Sequence, residues 1–364
     1  LSPHEVVMIK EPGDYALLIG INHYPHYGAN GRPLLGAIRD ARAVHGWLTD
    51  AAVGGGLPPD NCRLITSSLD TVNPPQPRKD KIDEALEQIW EQAETQAREA
   101  GVLPRRFYFY FSGHGQALGS EDVALCMSNW ARNREAASLS FKKYQELVVN
   151  CLPFREVVVL LDCCRSRKIN ARAQESELTC PRPRDAAGQT QVFVAYASEF
   201  QAAAFEGGQP ALPAGEEPIV HGHFTEALLA GLRGGAARPP GGVPASRLWM
   251  YLDKVVPRIA RRHQHEQAPK IIPFSIPPGD PREPVFGAAP QIEFMDVKII
   301  FSARRQGPIK LEGPALELIH QGEATSGPWE DTLPLATYLL TDLGTNETQA
   351  IRPQGEEGEI HVEF

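Results

Sequence analysis

Arg106-Phe-Tyr-Phe-Tyr-Phe-Ser-Gly-His-Gly115 and Glu156-Val-Val-Val-Leu-Leu-Asp-Cys-Cys-Arg165 are the two stretches whose reading decides the fold. Each begins with a nearly unbroken apolar run of strand length. Such runs suit central strands of a parallel sheet, buried on both faces. Each run ends in residues able to do chemistry: Ser112-Gly113-His114-Gly115 after the first, Asp162-Cys163-Cys164 after the second. In an open α/β sheet, sites gather at the carboxyl ends of the strands. Parallel neighbours would therefore bring His114 and Cys164 to one edge. A thiol near its free pKa is only partly ionised at neutral pH, and a nearby imidazole can take its proton and later return it to a leaving group. Gly115, with the N–H of Cys164, is a candidate donor to the oxyanion of a tetrahedral intermediate. If Cys164 points into the site, its neighbour Cys163 points away and is structural.

Outward from these strands the pattern alternates. Residues 15–20 and 62–66 read as strands, and 34–48 and 79–97 as helices with apolar residues at helical spacing. Residues 191–197 form a fifth strand, 223–232 and 245–262 two helices, and 270–274 an edge strand, since Pro273 cannot donate to a ladder. Strands alternating with helices predict an α/β layer fold with a mostly parallel six-stranded sheet. Residues 276–290 are rich in Pro and Gly and read as a linker. Beyond it, segments 292–301, 315–319, 335–340 and the chain end alternate apolar and polar, which predicts a small all-β domain over 291–364. The segment 165–189 is polar and basic, carrying Arg165, Arg167, Lys168, Arg172, Arg182 and Arg184. A loop of that length inside a compact domain is usually functional or disordered.

The chain has 364 residues and a formal net charge of -9, which argues against a nucleic-acid binder held mainly by phosphate contacts. No apolar run is long enough to span a membrane, and residues 1–13, an N-terminal extension, lack the apolar core of a signal peptide. The six cysteines, at 62, 126, 151, 163, 164 and 180, form no C-x-x-C pair. They read neither as a disulfide scaffold nor as a zinc site, and fit a reducing, cytoplasmic setting. His221-Gly-His223 reads as plain loop, and His263 and His265 as a solvated helix end. A phosphatase loop would need Arg six positions after its Cys, where this chain has Ile169 and Asn170.

The spacing from His114 to Cys164 is 50 residues, which matches the separation of roughly 50 between catalytic His and Cys in caspases. The strand-plus-Ser-Gly-His-Gly and strand-plus-Asp-Cys-Cys pair resembles caspase-like cysteine peptidases, the metacaspase and bacterial caspase-homologue branch in particular. Residues 15–22, 35–41 and 223–229 resemble that branch too, so that the resemblance covers about 14–275. It implies a caspase-like fold and a Cys endopeptidase acting on protein or peptide substrates. Cys164 would be the nucleophile and His114 its base. The resemblance also implies a primary specificity pocket lined by Asp162, Asp40 and Ser112. Two carboxylates in a partly desolvated pocket favour a cation, and Arg above Lys because it can bind bidentately.

The chain departs from the pattern in places. Arg165-Ser166-Arg167 follows the Cys where metacaspases usually carry His-Ser-Gly. Ser198-Glu199-Phe200 offers no Arg of the kind animal caspases use for a substrate Asp, although Arg32 could sit near the pocket. No cofactor is required by this chemistry. Some metacaspases need calcium, but no matching Asp cluster is identifiable. The basic loop suggests self-processing at Arg167, Arg172, Arg182 or Arg184, and the family resemblance suggests activation by a protein partner. The competing reading is a catalytically inactive scaffold of the same fold.

Overall fold

The computed structural model describes residues 13–27, 33–52, 54–68, 73–166, 171–180, 183–184, 187–208, 220–237, 242–287, 294–302, 307–313, 318–324, 327–334, 338–345, 347–351 and 359–362. Along the chain run β1 (Tyr15–Gly20), α1 (Ala37–Thr49), β2 (Cys62–Thr66), α2 (Lys79–Ala100) and β3 (Arg106–Ser112). Next come β4 (Gly115–Ala117), β5 (Val123–Cys126), β6 (Ser138–Ser140), α3 (Phe141–Cys151), β7 (Glu156–Asp162) and β8 (Gln191–Tyr196). They are followed by β9 (Glu206–Gly208), β10 (Val220–Gly222), α4 (His223–Ala230), β11 (Val243–Pro244), α5 (Ala245–Arg262), β12 (Lys270–Ile272) and β13 (Val285–Phe286).

Among the described residues, six strands make the central sheet in the order β12-β8-β7-β3-β1-β2. All neighbours are parallel except the edge strand β12, which runs antiparallel to β8. The two deciding strands are neighbours in register, Arg106 opposite Glu156 and Ser112 opposite Asp162. Their carboxyl ends therefore stop level.

Period-2 alternation assigns each strand residue to one face. Leu17, Ile19, Phe107, Phe109, Val157 and Val159 join a core with Ile82, Leu86 and Ile89 of α2 and Tyr144 and Val148 of α3. Leu18, Tyr108, Tyr110, Val158 and Leu160 join a second core with Val44 of α1, Phe224 and Leu228 of α4 and Leu252 and Val255 of α5. Each such aliphatic side chain contributes about 1.5–3 kcal/mol on burial. The sheet is thus covered on both faces, as its continuous apolar strands require.

Several expectations need correction. Helix α1 starts at Ala37, later than residue 34, and α2 extends to Ala100. The hairpins β4–β6 and helix α3 were not legible, because residues 115–151 mix Gly, Ser and charged residues with short apolar runs. The segment read as a linker is partly docked. Val285 and Phe286 pair with β11, and Phe286 packs on Phe193 and under the Arg106 guanidinium. Arg106, itself ion-paired to Glu156, also donates to the Val285 carbonyl at 3.2 Å.

The cysteines were expected to stay unpaired, but Cys151 at the end of α3 is joined to Cys180 by a disulfide, leaving Cys62, Cys126, Cys163 and Cys164 as free thiols. A spacing of 29 residues carries no sequence signal for this pair. The bridge fixes one end of the basic segment, and two further contacts tether it. Ser176 and the Glu177 amide reach the Asp83 carboxylate, and Gln174 exchanges backbone hydrogen bonds with Ser138 and Ser140.

In the C-terminal part, β14 (Phe294–Phe301), β15 (Pro308–Glu312), β16 (Leu318–Glu323), β17 (Trp329–Pro334), β18 (Tyr338–Asp342), β19 (Thr348–Ile351) and β20 (Glu359–Val362) form two sheets. Val297, Ile309, Leu311, Leu340 and Val362 share one core. This part is all-β, as its alternation predicted, with β15, β17 and β19 added to the expected strands. Among the described residues, no helix is long and apolar enough to cross a membrane.

Candidate active site

The site is built on the level ends of β3 and β7. Beyond β3 the Gly113 N–H donates to the Asp162 carbonyl at 3.2 Å, and beyond His114 the Ala117 N–H donates to the Ser166 carbonyl at 3.1 Å. Backbone N–H groups alternate in direction along a strand, so that of Gly115 faces the same side as that of Ala117, toward the Cys164 backbone. The approach there is close: a Cβ on Gly115 would lie 2.6 Å from the Cys164 carbonyl oxygen and 2.7 Å from Cys163 Sγ. The peptide flanking His114 thus touches the peptide flanking Cys164 on both sides.

The His114 ring is half-buried and bracketed by aromatics. Tyr27 stacks on it at 4.1 Å between centroids and 16°, and Tyr24 lies at 4.7 Å. The Tyr24 hydroxyl accepts the His114 N–H at 2.9 Å and donates to the Cys126 carbonyl at 3.2 Å. Cys164 is also half-buried, its Sγ donating to the Ala204 carbonyl and accepting the Ala204 N–H, both at 3.3 Å. Burial pushes this thiol up; the Asp162 and Glu206 carboxylates add to the rise, and the Ala204 N–H opposes it. Cys163 is fully buried and its thiol is pushed well up, as a structural residue would be.

Beside the thiol three carboxylates converge. Asp40, from the first turn of α1, is 0% exposed, so it is no solvated helix residue. Its Oδ1 accepts from His221 Nδ1 at 2.6 Å and its Oδ2 from the Gly222 N–H at 2.8 Å. Asp162 Oδ2 accepts from the Thr225 hydroxyl at 2.6 Å and the Thr225 N–H at 3.1 Å. Glu206 accepts from the Leu35 and Gly36 N–H groups, each at 3.0 Å, capping the start of α1. Ser112 is buried between Gly20 and Asp162 in sheet register.

Burial raises all three carboxyl groups. Asp162 is pushed up to about 8, by burial first and then by Asp40. Among the described residues their donors include backbone N–H groups, a hydroxyl and one imidazole, and the Arg39 charge beside Asp40 opposes the rise of that carboxyl.

The sequence reading of several neighbours is revised. His221 is not plain loop, because it is the partner of Asp40. His223, His263 and His265 are packed together rather than solvated. Arg165 belongs to no solvated basic loop: it is 1% exposed, lies 4.1 Å over the Tyr196 ring and donates to the Ser198 and Ser120 carbonyls. Arg32, Arg167 and Arg182 lie outside the described residues. Tyr24, Tyr27, Ala204, Glu206 and His221 were missed. The close Tyr24 and Tyr27 pair after β1 was the one local signal; the others come from loops and hairpins whose placement depends on the whole fold.

The caspase domain family model matches residues 14–275. A probable protease from a Desulfuromonadales bacterium is 31% identical over 230 residues, a match that takes in 61% of this chain and 26% of that relative's length. The chain thus spans about a quarter of the curated relative it matches. Among solved structures, a Geobacter sulfurreducens protein aligns with TM-score 0.44 at 16% identity, covering 77% of this chain and 98% of that one. Caspase-1 from Spodoptera frugiperda aligns with TM-score 0.41 at 12% identity, covering 72% and 86%. With the family model matching most of the chain, the chain belongs to the caspase-domain family.

Proposed function

We propose that this protein is a cysteine endopeptidase that cleaves after Arg, and less well after Lys, with Cys164 as nucleophile and His114 as its base. The observation that carries the specificity is the convergence of three buried carboxyl groups, Asp40, Asp162 and Glu206, beside the thiol. Clustered buried carboxylates are costly, and a substrate guanidinium would add compensating charge. A guanidinium also matches a carboxylate bidentately, where an ammonium cannot.

In the reaction, the Cys164 proton passes to His114 as Sγ bonds to the carbonyl carbon. The stacked Tyr27 ring favours the imidazolium that results. The carbonyl oxygen becomes an oxyanion held by the Gly115 and Cys164 N–H groups. The C–N bond then breaks, and the amine leaves with the proton from His114. Water attacks the thioester, His114 takes one proton from it and returns it to the departing thiolate, and the acid product leaves and ionises, giving its proton to solvent. The chemistry uses the protein's own groups, with no cofactor. The test is a panel of fluorogenic peptides ending in Arg, Lys or Asp; hydrolysis after Arg supports the reading, and equal rates on all three would count against it. The inactive-scaffold alternative predicts no hydrolysis at all.

Gly115→Ala is expected to lower kcat about 100-fold, since the new Cβ pushes on the Cys164 peptide and misplaces the nucleophile and oxyanion donor together. Steady-state kinetics beside a thermal melt separates this from unfolding.

Self-processing in the basic segment belongs to the same reading. Arg184 is a poor site, because its guanidinium donates to the Val149 and Phe154 carbonyls and to Thr190. Arg172 is exposed and precedes the tether at Gln174. Cleavage after Arg172 should give two bands on a reducing gel and one on a non-reducing gel, because Cys151–Cys180 joins the products. Arg172→Gln should abolish the two bands; an unprocessed wild-type chain with full activity would remove self-processing from the mechanism.

A further inference from the structure

Strand β9 carries Glu206 to the pocket and, among the described residues, pairs on one edge alone, with β10. Behind it lies a group of imidazoles. A Cβ on Gly207 would lie 2.5 Å from His223 Cε1 and 2.9 Å from His263 Nε2, so the strand backbone rests directly on both rings. Phe205 stacks on His265 at 4.1 Å and 12°. The His223 N–H donates to the Phe205 carbonyl at 3.1 Å, and Gln267 Oε1 accepts the Phe205 N–H at 3.0 Å. His223 lies 4.9 Å from His263 at 18°, and its Nε2 is 3.0 Å from His265 Nδ1.

We propose that His223, His263 and His265 are positioning residues whose imidazole stack holds the Glu206 strand against the specificity pocket and releases it in acid. The proposal rests on the reading of Asp162 and Glu206 as that pocket.

The protonation state follows from the contacts. One proton sits between His223 Nε2 and His265 Nδ1. A second proton on His223 would sit at Nδ1, which is buried with no hydrogen-bond partner among the described residues. An unsatisfied buried donor is costly. His223 is also the first residue of α4, where the helix dipole disfavours a cation. Burial first, then His263 and His265, push His223 down to about 4. Other titratable groups on the elements packed around it include Glu206, His221 and Asp162, Glu226 on α4, and Asp253, Lys254 and Arg258 on α5, with Arg261, Arg262 and Glu266 exposed on or just after α5. A histidine depressed in this way contributes stability above its ordinary value of 6.5 and loses it as pH falls toward about 4. Acid therefore parts the rings, and the strand they support loosens.

The test is hydrogen-exchange mass spectrometry on the full chain, following residues 205–208 and 220–223 at about pH 7.5 and about pH 5, on either side of the ordinary histidine range. Protection factors are compared among wild type, His265→Gln and His265→Ala. Wild type should lose protection in acid. His265→Ala should lack it at both pH values, whereas His265→Gln, which keeps a hydrogen-bonding group and leaves His223 to titrate, should keep it at neutral pH and lose it in acid. With an Arg peptide at neutral pH, His265→Ala should raise KM about tenfold and change kcat less than about twofold. Half-buried His263→Gln replaces His265→Ala if that variant does not fold.

Equal protection in all proteins at both pH values overturns the proposal. So does an unchanged KM in a variant whose hairpin has lost protection. A wild type that cleaves no Arg peptide overturns the pocket reading instead, and the exchange data still decide whether the stack holds the strand.

Discussion

Cys164→Ala is expected to lower kcat/KM for an Arg-ending peptide by about 10⁴-fold or more, to the level that binding and oxyanion donors alone can sustain. The reason is that no other group at the β7 end can take its place. Cys163 is adjacent in sequence but faces the core, fully buried, with its thiol pushed well up. Cys164 is itself pushed up by burial and by the Asp162 and Glu206 carboxylates, so it rests as a thiol and depends on His114 to take its proton during attack. His114→Ala should therefore cost nearly as much as Cys164→Ala, and the double variant little more, since the pair acts as a unit. The measurement is single-turnover and steady-state hydrolysis beside a thermal melt. Substantial cleavage by Cys164→Ala, lost instead in Cys163→Ala, would move the nucleophile by one residue and end the assignment made here.

The second large effect concerns the pocket. Asp162→Asn should raise KM for Arg peptides about 10²- to 10³-fold, the usual cost of removing one partner of a buried pair, and leave alkylation of Cys164 by a small electrophile within about threefold. The pH dependence gives a sharper signature. Burial and Asp40 hold Asp162 at about 8, so at neutral pH much of it is protonated. The ionised form is the one that attracts a guanidinium. Wild-type kcat/KM on Arg peptides should accordingly rise as pH climbs through about 8, and that limb should vanish in Asp162→Asn. Stability runs the other way. A carboxyl raised by folding contributes at low pH and loses its contribution as pH rises from its ordinary 3.8 through about 8. Wild type should therefore lose Tm relative to Asp162→Asn as pH rises from about 4 to about 8. An Arg preference that survives both Asp162→Asn and Asp40→Asn would exclude the carboxylate pocket.

The segments that were legible in the sequence share a physical cause. Strands β3 and β7 are buried on both faces, so their apolar runs stand out against any background, and α5 was bounded correctly because its apolar stripe is complete from Leu248 to Ile259. The edge position of β12 followed from Pro273 alone. The short strands β4, β5, β6, β9 and β10 carry little pattern of their own, because a strand of three or four residues is too brief for alternation to register. The candidate dyad was legible because both residues end strong strands. Asp40 and Asp162 were found by resemblance. Glu206 and His221 gave no local signal at all.

What the sequence determined by itself is the layered α/β domain, the all-β tail and the two strand ends that present His114 and Cys164, since periodicity and burial act over neighbours in the chain. The tertiary structure decided the rest. It brought α1, β7, β9 and β10 together so that Asp40, Asp162, Glu206 and His221 share one desolvated space, joined Cys151 to Cys180, and turned Arg165 into the core. Charges that lie more than 150 residues apart in the chain, such as Asp40 and Glu206, shift one another only once folding has removed the water between them.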